Sequence, residues 1–469
     1  MKKFILSFFL ITLSYLPKAQ KKIDDSTAVS ILIERSQSGA LPLKFSVNNN
    51  YLLKSVDTFS SDKEFLVRSG LPNFFKKLKQ KRTKLRVAFL GGSITKAEEQ
   101  YRNQTLAYLQ TLHPKAIIEG INAGVSGTGT ELGACRLKEQ VLQYQPDLVF
   151  IEFAVNGGSN QALEGIVRQV IRNSPFTDIC FLYTIAGDQF KQYAANQIPS
   201  KIKEFEEVAT YYQLPSIHMG LYPSFLESIG KLIWKNNKDA NDKIVFSKDG
   251  THPTKDGGDL YTQAIIRTFR VLRKTAVVKK HELKNPLYTD NWEDASMYSA
   301  NAIASFSNGW ENINPQKNQT LSQFEPWFQT ISKAVTVGAS CSFRFRGTAF
   351  GFFDIGGPEV GQVLVEIDGK CVELRRKAGN SSNKIVNEGA YRCLVNRFNS
   401  NCNNRYRGQF ELFEVSDGEH EIKLTVSNIT ANKIEILQGQ DLTDIQQFPQ
   451  KYQQQVFYLG KVLLKGKLL

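Results

Sequence analysis

Five short apolar runs alternate with helical patterns between residues 85 and 275, and this alternation restricts the possible folds more than any other feature. The runs are LRVAFLG, AIIEGIN, DLVFIEFAV, DICFLYTIA and LPSIHMG. Between them, apolar residues recur at helical spacing over about 100–112, 132–144, 162–172 and 201–211, and a last helix follows Pro253 to about residue 273. Strands that are apolar on both faces must be covered on both faces. Alternation with helices supplies that cover, so the pattern predicts a parallel sheet in an α/β layer structure. In such sheets functional groups gather beyond the carboxyl ends of the strands.

The pattern changes after about residue 275. From about 300 to 440 the apolar runs are short and alternating, as in ASCSFRFRGTAFGFFDI, GQVLVEIDGKCVELRR and GEHEIKLTVSNIT. Turn signals separate them at Gly356–Gly357–Pro358, Asp368–Gly369 and Asp417–Gly418. This predicts antiparallel strands in an all-β sandwich, jelly-roll-like in class. A chain of 469 residues that is 41% hydrophobic has material for two cores. The expected divisions are a signal peptide at 1–20, an N-terminal extension at 21–80 and the α/β domain at 81–275. A linker at 276–290, a β-sandwich accessory domain at 291–440 and a C-terminal tail at 441–469 complete the chain.

MKKFILSFFLITLSYLPKAQ reads as an export signal: two lysines, an apolar run too short for a membrane span, then a small residue. A periplasmic or secreted protein is expected, with no membrane span after cleavage. The formal net charge is +14, but the basic residues are scattered apart from KKLKQKR at 76–82. With export this argues against nucleic acid and leaves a solvated basic face or attraction to an anionic glycan. None of the six cysteines has CxxC spacing, so zinc and dithiol redox readings are weak. Cys393 and Cys402 flank a polar loop and are the expected disulfide. No His/Asp/Glu cluster has ligand spacing, and neither a metal nor another cofactor is expected. Oligomeric state is not legible.

The first apolar run ends in Gly91–Gly92–Ser93. Two glycines permit a sharp turn, and a helix start beyond it favours developing negative charge. Ser93 is therefore either a helix cap or a nucleophile. A nucleophilic serine needs a base, and the chain has five histidines. His420 falls in a hairpin, His281 in the linker and His113 at a helix end. His218 ends a strand but has no acid nearby. His252, in SKDGTHPT, has Asp249 three residues before it to orient the imidazole. Two further segments offer donors for an oxyanion: Gly127 in INAGVSGTGT and Asn156 in FIEFAVNGG. Each segment taken alone is also a plausible turn.

Together the four segments resemble the blocks of the SGNH hydrolase (GDSL-type esterase/lipase) superfamily, in their order and spacing across about residues 80–275. GGSIT carries the serine, NAGVSG the glycine, FAVNGG the asparagine and DGTH the Asp–His pair. Two departures stand out: GGS replaces GDS, and Asn156 is followed by Gly157 rather than aspartate. The resemblance implies a flavodoxin-like three-layer α/β/α sandwich. It also implies ester hydrolysis through an acyl-enzyme, with Ser93, Asp249 and His252 catalytic and Ser93, Gly127 and Asn156 forming the oxyanion hole. Residues 345–370 resemble the accessory, carbohydrate-binding sandwiches that accompany some exported SGNH esterases, and Trp292, Trp310 and Trp327 of this chain would either pack or stack on sugars. The expected substrate is an acylated glycan, as for a carbohydrate acetyl esterase. A lysophospholipase or thioesterase, and a non-catalytic glycan-binding protein, are the alternatives.

Overall fold

The computed structural model describes residues 40–47, 59–80, 83–240, 242–274, 278–379 and 392–469. The segment 1–20 read as an export signal lies outside them. Seven strands form the first sheet: β1 (Lys44–Phe45), β2 (Phe65–Leu66), β3 (Lys84–Gly91), β4 (Ile117–Gly124), β5 (Leu148–Glu152), β6 (Asp178–Tyr183) and β7 (Ser216–His218). Their spatial order is β1-β4-β3-β5-β6-β7-β2. The five central strands are parallel. Their order is that of a flavodoxin-like sheet, whose topological switch point lies between β3 and β5.

The apolar runs occupy the middle of this sheet because both of their faces are covered. Val87 to Leu90 and Leu148 to Ile151 have at most 1% exposure. Helices Thr130–Gln140, Asn160–Asn173 and Ser200–Tyr211 pack together on one face. Helices Tyr101–Leu112 and Lys255–Leu272 pack on the other, joined by the bond from Thr262 Oγ1 to Gln104 Oε1 (2.6 Å). The segment 21–80, expected to be a lead-in, is part of this domain where it is described. It supplies β1 and β2, which pair antiparallel on the two edges. It also supplies the helix Pro72–Leu78, whose Phe75 meets Phe269 edge-on at 5.2 Å. Two-residue edge strands leave little backbone open to further pairing.

The second domain is a curled antiparallel sheet built on three long strands, Ser340–Gly356, Arg407–Val426 and Phe457–Leu468. The register between the first two shifts between Gly347 and Ala349, which bends both. Before that bend Ser340–Gly347 alternates in burial; beyond it the strand is buried on both faces. Phe350, Phe352 and Phe413 point into the core of the sandwich. Ala349, Phe353, Ile355 and Phe410 point the other way, into the apolar cluster that also contains the α/β core. One apolar cluster therefore spans both domains, beside the sandwich's own core.

The structure places two segments that the sequence left open and corrects one expectation, the disulfide. The tail 441–469 supplies a strand of the second sheet: Phe457–Leu468 lies between Ser340–Gly356 on one side and Ile331–Ala334 and Ala295–Ser299 on the other. The linker is packed where it is described, with His281 Nε2 2.8 Å from Asp178 Oδ1 and the amides of Leu287 and Tyr288 donating to Glu164. The disulfide joins Cys371 to Cys393, while Cys402 is a buried thiol facing the Arg397 carbonyl. Loop polarity drew attention to 393–402, but the sheet brings residue 371 beside 393.

Candidate active site

β3 ends at Gly91, and Ser93 opens a single helical turn, Ser93–Lys96. The glycines before it are needed for space rather than for a left-handed backbone. Neither has a positive φ; Gly92 lies at φ −91°. A Cβ on Gly91 would stand 2.2 Å from Thr95 Oγ1, and one on Gly92 1.7 Å from Asn156 Oδ1. A side chain at position 92 would therefore displace the Asn156 amide from where it now lies. Gly127 is different: its φ of +70° lies in the region glycine adopts without strain.

The structure brings Ser93, His252 and Asp249 together. His252 Nε2 lies 2.7 Å from Ser93 Oγ, and His252 Nδ1 lies 2.6 Å from Asp249 Oδ2. The DGTH segment makes its own support. Gly250, at φ +89°, lets the chain turn back. Asp249 Oδ1 then accepts from the amides of Thr251 and His252, both at 2.8 Å, and lies 3.0 Å from Ser247 Oγ. Partial burial favours the neutral acid, but hydrogen bonds from the His252 ring, the two amides and Ser247 outweigh it. They hold the Asp249 carboxyl well below the usual carboxylate range. An ionised Asp249 fixes the imidazole so that Nε2 faces Ser93. His252 and Asp249 are about half exposed, at 46% and 55%, so a substrate can reach them without unfolding a cover.

Ser93, Gly127, Asn156 and His252 line one cavity of about 880 Å³, within the size range of small-molecule sites, roughly 300–1,000 Å³. Asn156 Oδ1 is buried against Gly92 with no hydrogen-bond partner among the described residues. A buried orphan acceptor costs about 1–3 kcal/mol. This orientation leaves the NH₂ end of the amide as the group the cavity sees.

The other histidines are placed elsewhere. His218 is buried against Tyr193 OH at 2.7 Å, and burial lowers its pKa to about 4. His113 caps the helix Tyr101–Leu112, and His420 pairs with Asp368 at 2.9 Å. Trp292 and Trp327 are core residues at 2% and 3% exposure, and Trp310 packs edge-on against Phe306 and Phe457. None of the three lines this cavity. Among the described residues, no group of three or more His, Cys, Asp or Glu side chains is placed to hold a metal. No described helix is long and apolar enough to cross a membrane.

Sequence reading missed several supports. Glu152, fully buried at the end of β5, accepts from Thr95 Oγ1 at 2.8 Å and Thr184 Oγ1 at 2.5 Å, and from the amides of Gly92 and Thr95. Its signal was a lone acid inside an apolar run, FIEFAV. Buried Arg136 reaches the carbonyls of Gly91 and Ala123 and so ties the ends of β3 and β4. Arg405 and Arg407, from the sandwich, also line the cavity. Nothing in the local pattern NNRYRGQF relates them to a site more than 150 residues away.

No protein-family model and no curated protein matches the chain. Among solved structures, a two-domain esterase active on acetylated mannans superposes with a TM-score of 0.61 at 18% identity, over 86% of this chain and 97% of that one. A structure of such an esterase co-crystallised with mannopentaose gives 0.59 at 18% identity, over 82% and 91%. The likeness covers most of both chains, so the order of the two domains and the fold of each are shared.

Proposed function

From the SGNH-hydrolase fold with its appended β-sandwich, we propose that the protein is a serine esterase that removes acyl groups, acetyl above all, from a glycan. The observation that carries this is the Ser93–His252–Asp249 array, bonded at 2.7 and 2.6 Å at the wall of an open cavity. In the proposed reaction His252 Nε2 takes the proton from Ser93 Oγ as the oxygen attacks the ester carbonyl. The amides of Ser93 and Gly127 and the Asn156 NH₂ hold the oxyanion. His252 then gives the proton to the leaving sugar hydroxyl. Water, activated by the same imidazole, attacks the acyl-enzyme and releases the carboxylic acid. The glycan substrate is supported by the esterase on acetylated mannans that shares both domains. Export is part of the proposal and rests on residues 1–20 alone.

The test is hydrolysis of p-nitrophenyl esters by the purified chain. Acetate should be cleaved and long-chain esters left nearly intact, with Ser93→Ala lowering kcat by ~10³-fold or more. Preference for long acyl chains would remove the acetyl reading. Turnover independent of Ser93 would remove the esterase reading itself.

A further inference from the structure

The cavity at Ser93 is built by both domains. Gln323, Asn401, Arg405 and Arg407 of the sandwich line it together with Lys96 and Glu98 of the α/β domain. Among the described residues its lining thus holds three cations, Lys96, Arg405 and Arg407, against one carboxylate, Glu98. Two of the cations are buried: Lys96 is 7% exposed and Arg407 8%.

Buried charge is normally paired, and this sandwich shows the rule at Arg397. That fully buried guanidinium lies 2.7 Å from Asp354 and 3.2 Å from Glu411. Arg407 has no such arrangement. Its hydrogen bond among the described residues runs from Nε to the Gly408 carbonyl, at 3.5 Å, and it makes no ion pair there. Burial lowers its pKa, and the Arg405 and Arg397 guanidinium groups push in the same direction, against opposing contributions from Cys402 and Asp354. Lys96 also feels Arg405: burial, then that guanidinium, brings it down to about 8 against the pull of Glu98. Arg407 thus carries a buried charge with no ion pair among the described residues, beside the like-charged Arg405, at the wall of the cavity that Ser93 lines.

We infer that Lys96, Arg405 and Arg407 form a subsite for an anionic group, a carboxylate or a sulfate, carried by the glycan next to its acylated sugar. This rests on the esterase reading and deepens it. Guanidinium forks bind the oxygens of carboxylate and sulfate in pairs, and the lysine adds a point charge. A chain of formal net charge +14 also concentrates polyanions at its surface. The substrate class is then an O-acylated acidic polysaccharide. The β-sandwich contributes to specificity through two arginines at the reaction cavity itself.

The experiment compares kcat/KM of the full chain on O-acetylated polygalacturonate and O-acetylated glucomannan, with p-nitrophenyl acetate as the uncharged reference. The acidic polymer should be preferred by about tenfold or more, and the preference should shrink as salt is raised. Arg405→Gln and Arg407→Gln should each lower the ratio of acidic-polymer to p-nitrophenyl acetate activity by about tenfold. If the buried Arg407 variant does not fold, the half-buried Arg405 variant and the unmodified protein still decide. Competition by glucuronate, glucose 6-sulfate and glucose against p-nitrophenyl acetate separates carboxylate from sulfate; glucose should be the weakest. Calorimetric binding of trigalacturonate and mannotriose to Ser93→Ala reads the subsite without turnover. Equal rates on the two polymers, with no tighter binding of either anion than of the neutral sugar, would overturn the subsite and leave the esterase intact. Loss of p-nitrophenyl acetate hydrolysis as a Ser93-dependent reaction, with anion binding retained, would overturn the esterase and leave the subsite.

Discussion

Glu152 sits under the Ser93 turn with no exposed surface, and burial raises its carboxyl from an ordinary 4.5 to about 7, against the hydrogen bonds from Thr184, Thr95 and the Gly92 and Thr95 amides. The folded chain therefore holds this proton between pH 4.5 and 7, where the unfolded chain has released it. Its contribution to stability is complete below about pH 4.5 and is lost as pH rises to 7, an effect of about 3 kcal/mol. Buried His218 acts oppositely. Its pKa falls from 6.5 to about 4, so its contribution is present above 6.5 and is lost as pH falls. The two offset each other between roughly pH 4.5 and 6.5, and the pH profile of the unmodified protein shows neither. The difference in Tm between the protein and Glu152→Gln isolates the carboxyl: it should move in favour of the unmodified protein as pH is lowered from 7 to 4.5. A difference that stays constant across that range contradicts this account. Asp249 belongs to the opposite regime. Its lowered pKa gives stability that is present above 3.8 and lost only in stronger acid.

The C-terminal strand Phe457–Leu468 buries Phe457, Leu459, Val462, Leu463 and Leu464 to 1% exposure or less. At about 1.5–3 kcal/mol for each buried side chain, their removal exceeds the stability of an ordinary domain, about 5–15 kcal/mol, or comes close to it. A chain truncated after Val456 should give no soluble folded protein, by yield and by resistance to limited proteolysis. A soluble, protease-resistant truncation would show that the sandwich closes without this strand. This element also marks a limit of what the sequence displays. The parallel strands were legible because each apolar run is long, doubly buried and followed by a helical period. The site segments were legible because short-range chemistry, Asp249 to His252 above all, is written in adjacent residues. Phe457–Leu468 was not, because its partners 295–299, 331–334 and 340–356 lie more than 100 residues earlier. The edge strands β1 and β2 were lost for a related reason, since two residues carry no period. The Cys371–Cys393 pairing depends on how the sheet curls, which no loop composition reveals.

The two domains are joined by more than a linker. The outward face of the sandwich contributes Phe353, Ile355 and Phe410 to the apolar cluster that contains the central α/β strands. Polar ties reinforce the seam: Lys461 Nζ to Glu139 at 2.6 Å, Gln169 Nε2 to the Trp292 carbonyl at 3.0 Å, and Arg168 Nε to Glu293 at 2.7 Å. Two domains joined through a shared apolar cluster should unfold in one cooperative step. Calorimetry should give a single endotherm with matching van't Hoff and calorimetric enthalpies, and loss of Ser93-dependent activity should follow the same curve. Two separated endotherms would mean that the halves melt independently.

Gly165 sets the tolerance of that seam, because a Cβ there would stand 2.4 Å from the backbone carbon of Trp292. A foreign sandwich grafted onto this α/β domain would thus inherit a mortise cut for one tenon. Exchange of such modules has to carry the strip around residues 292–297 along with it, and the two halves can diversify only as a matched pair.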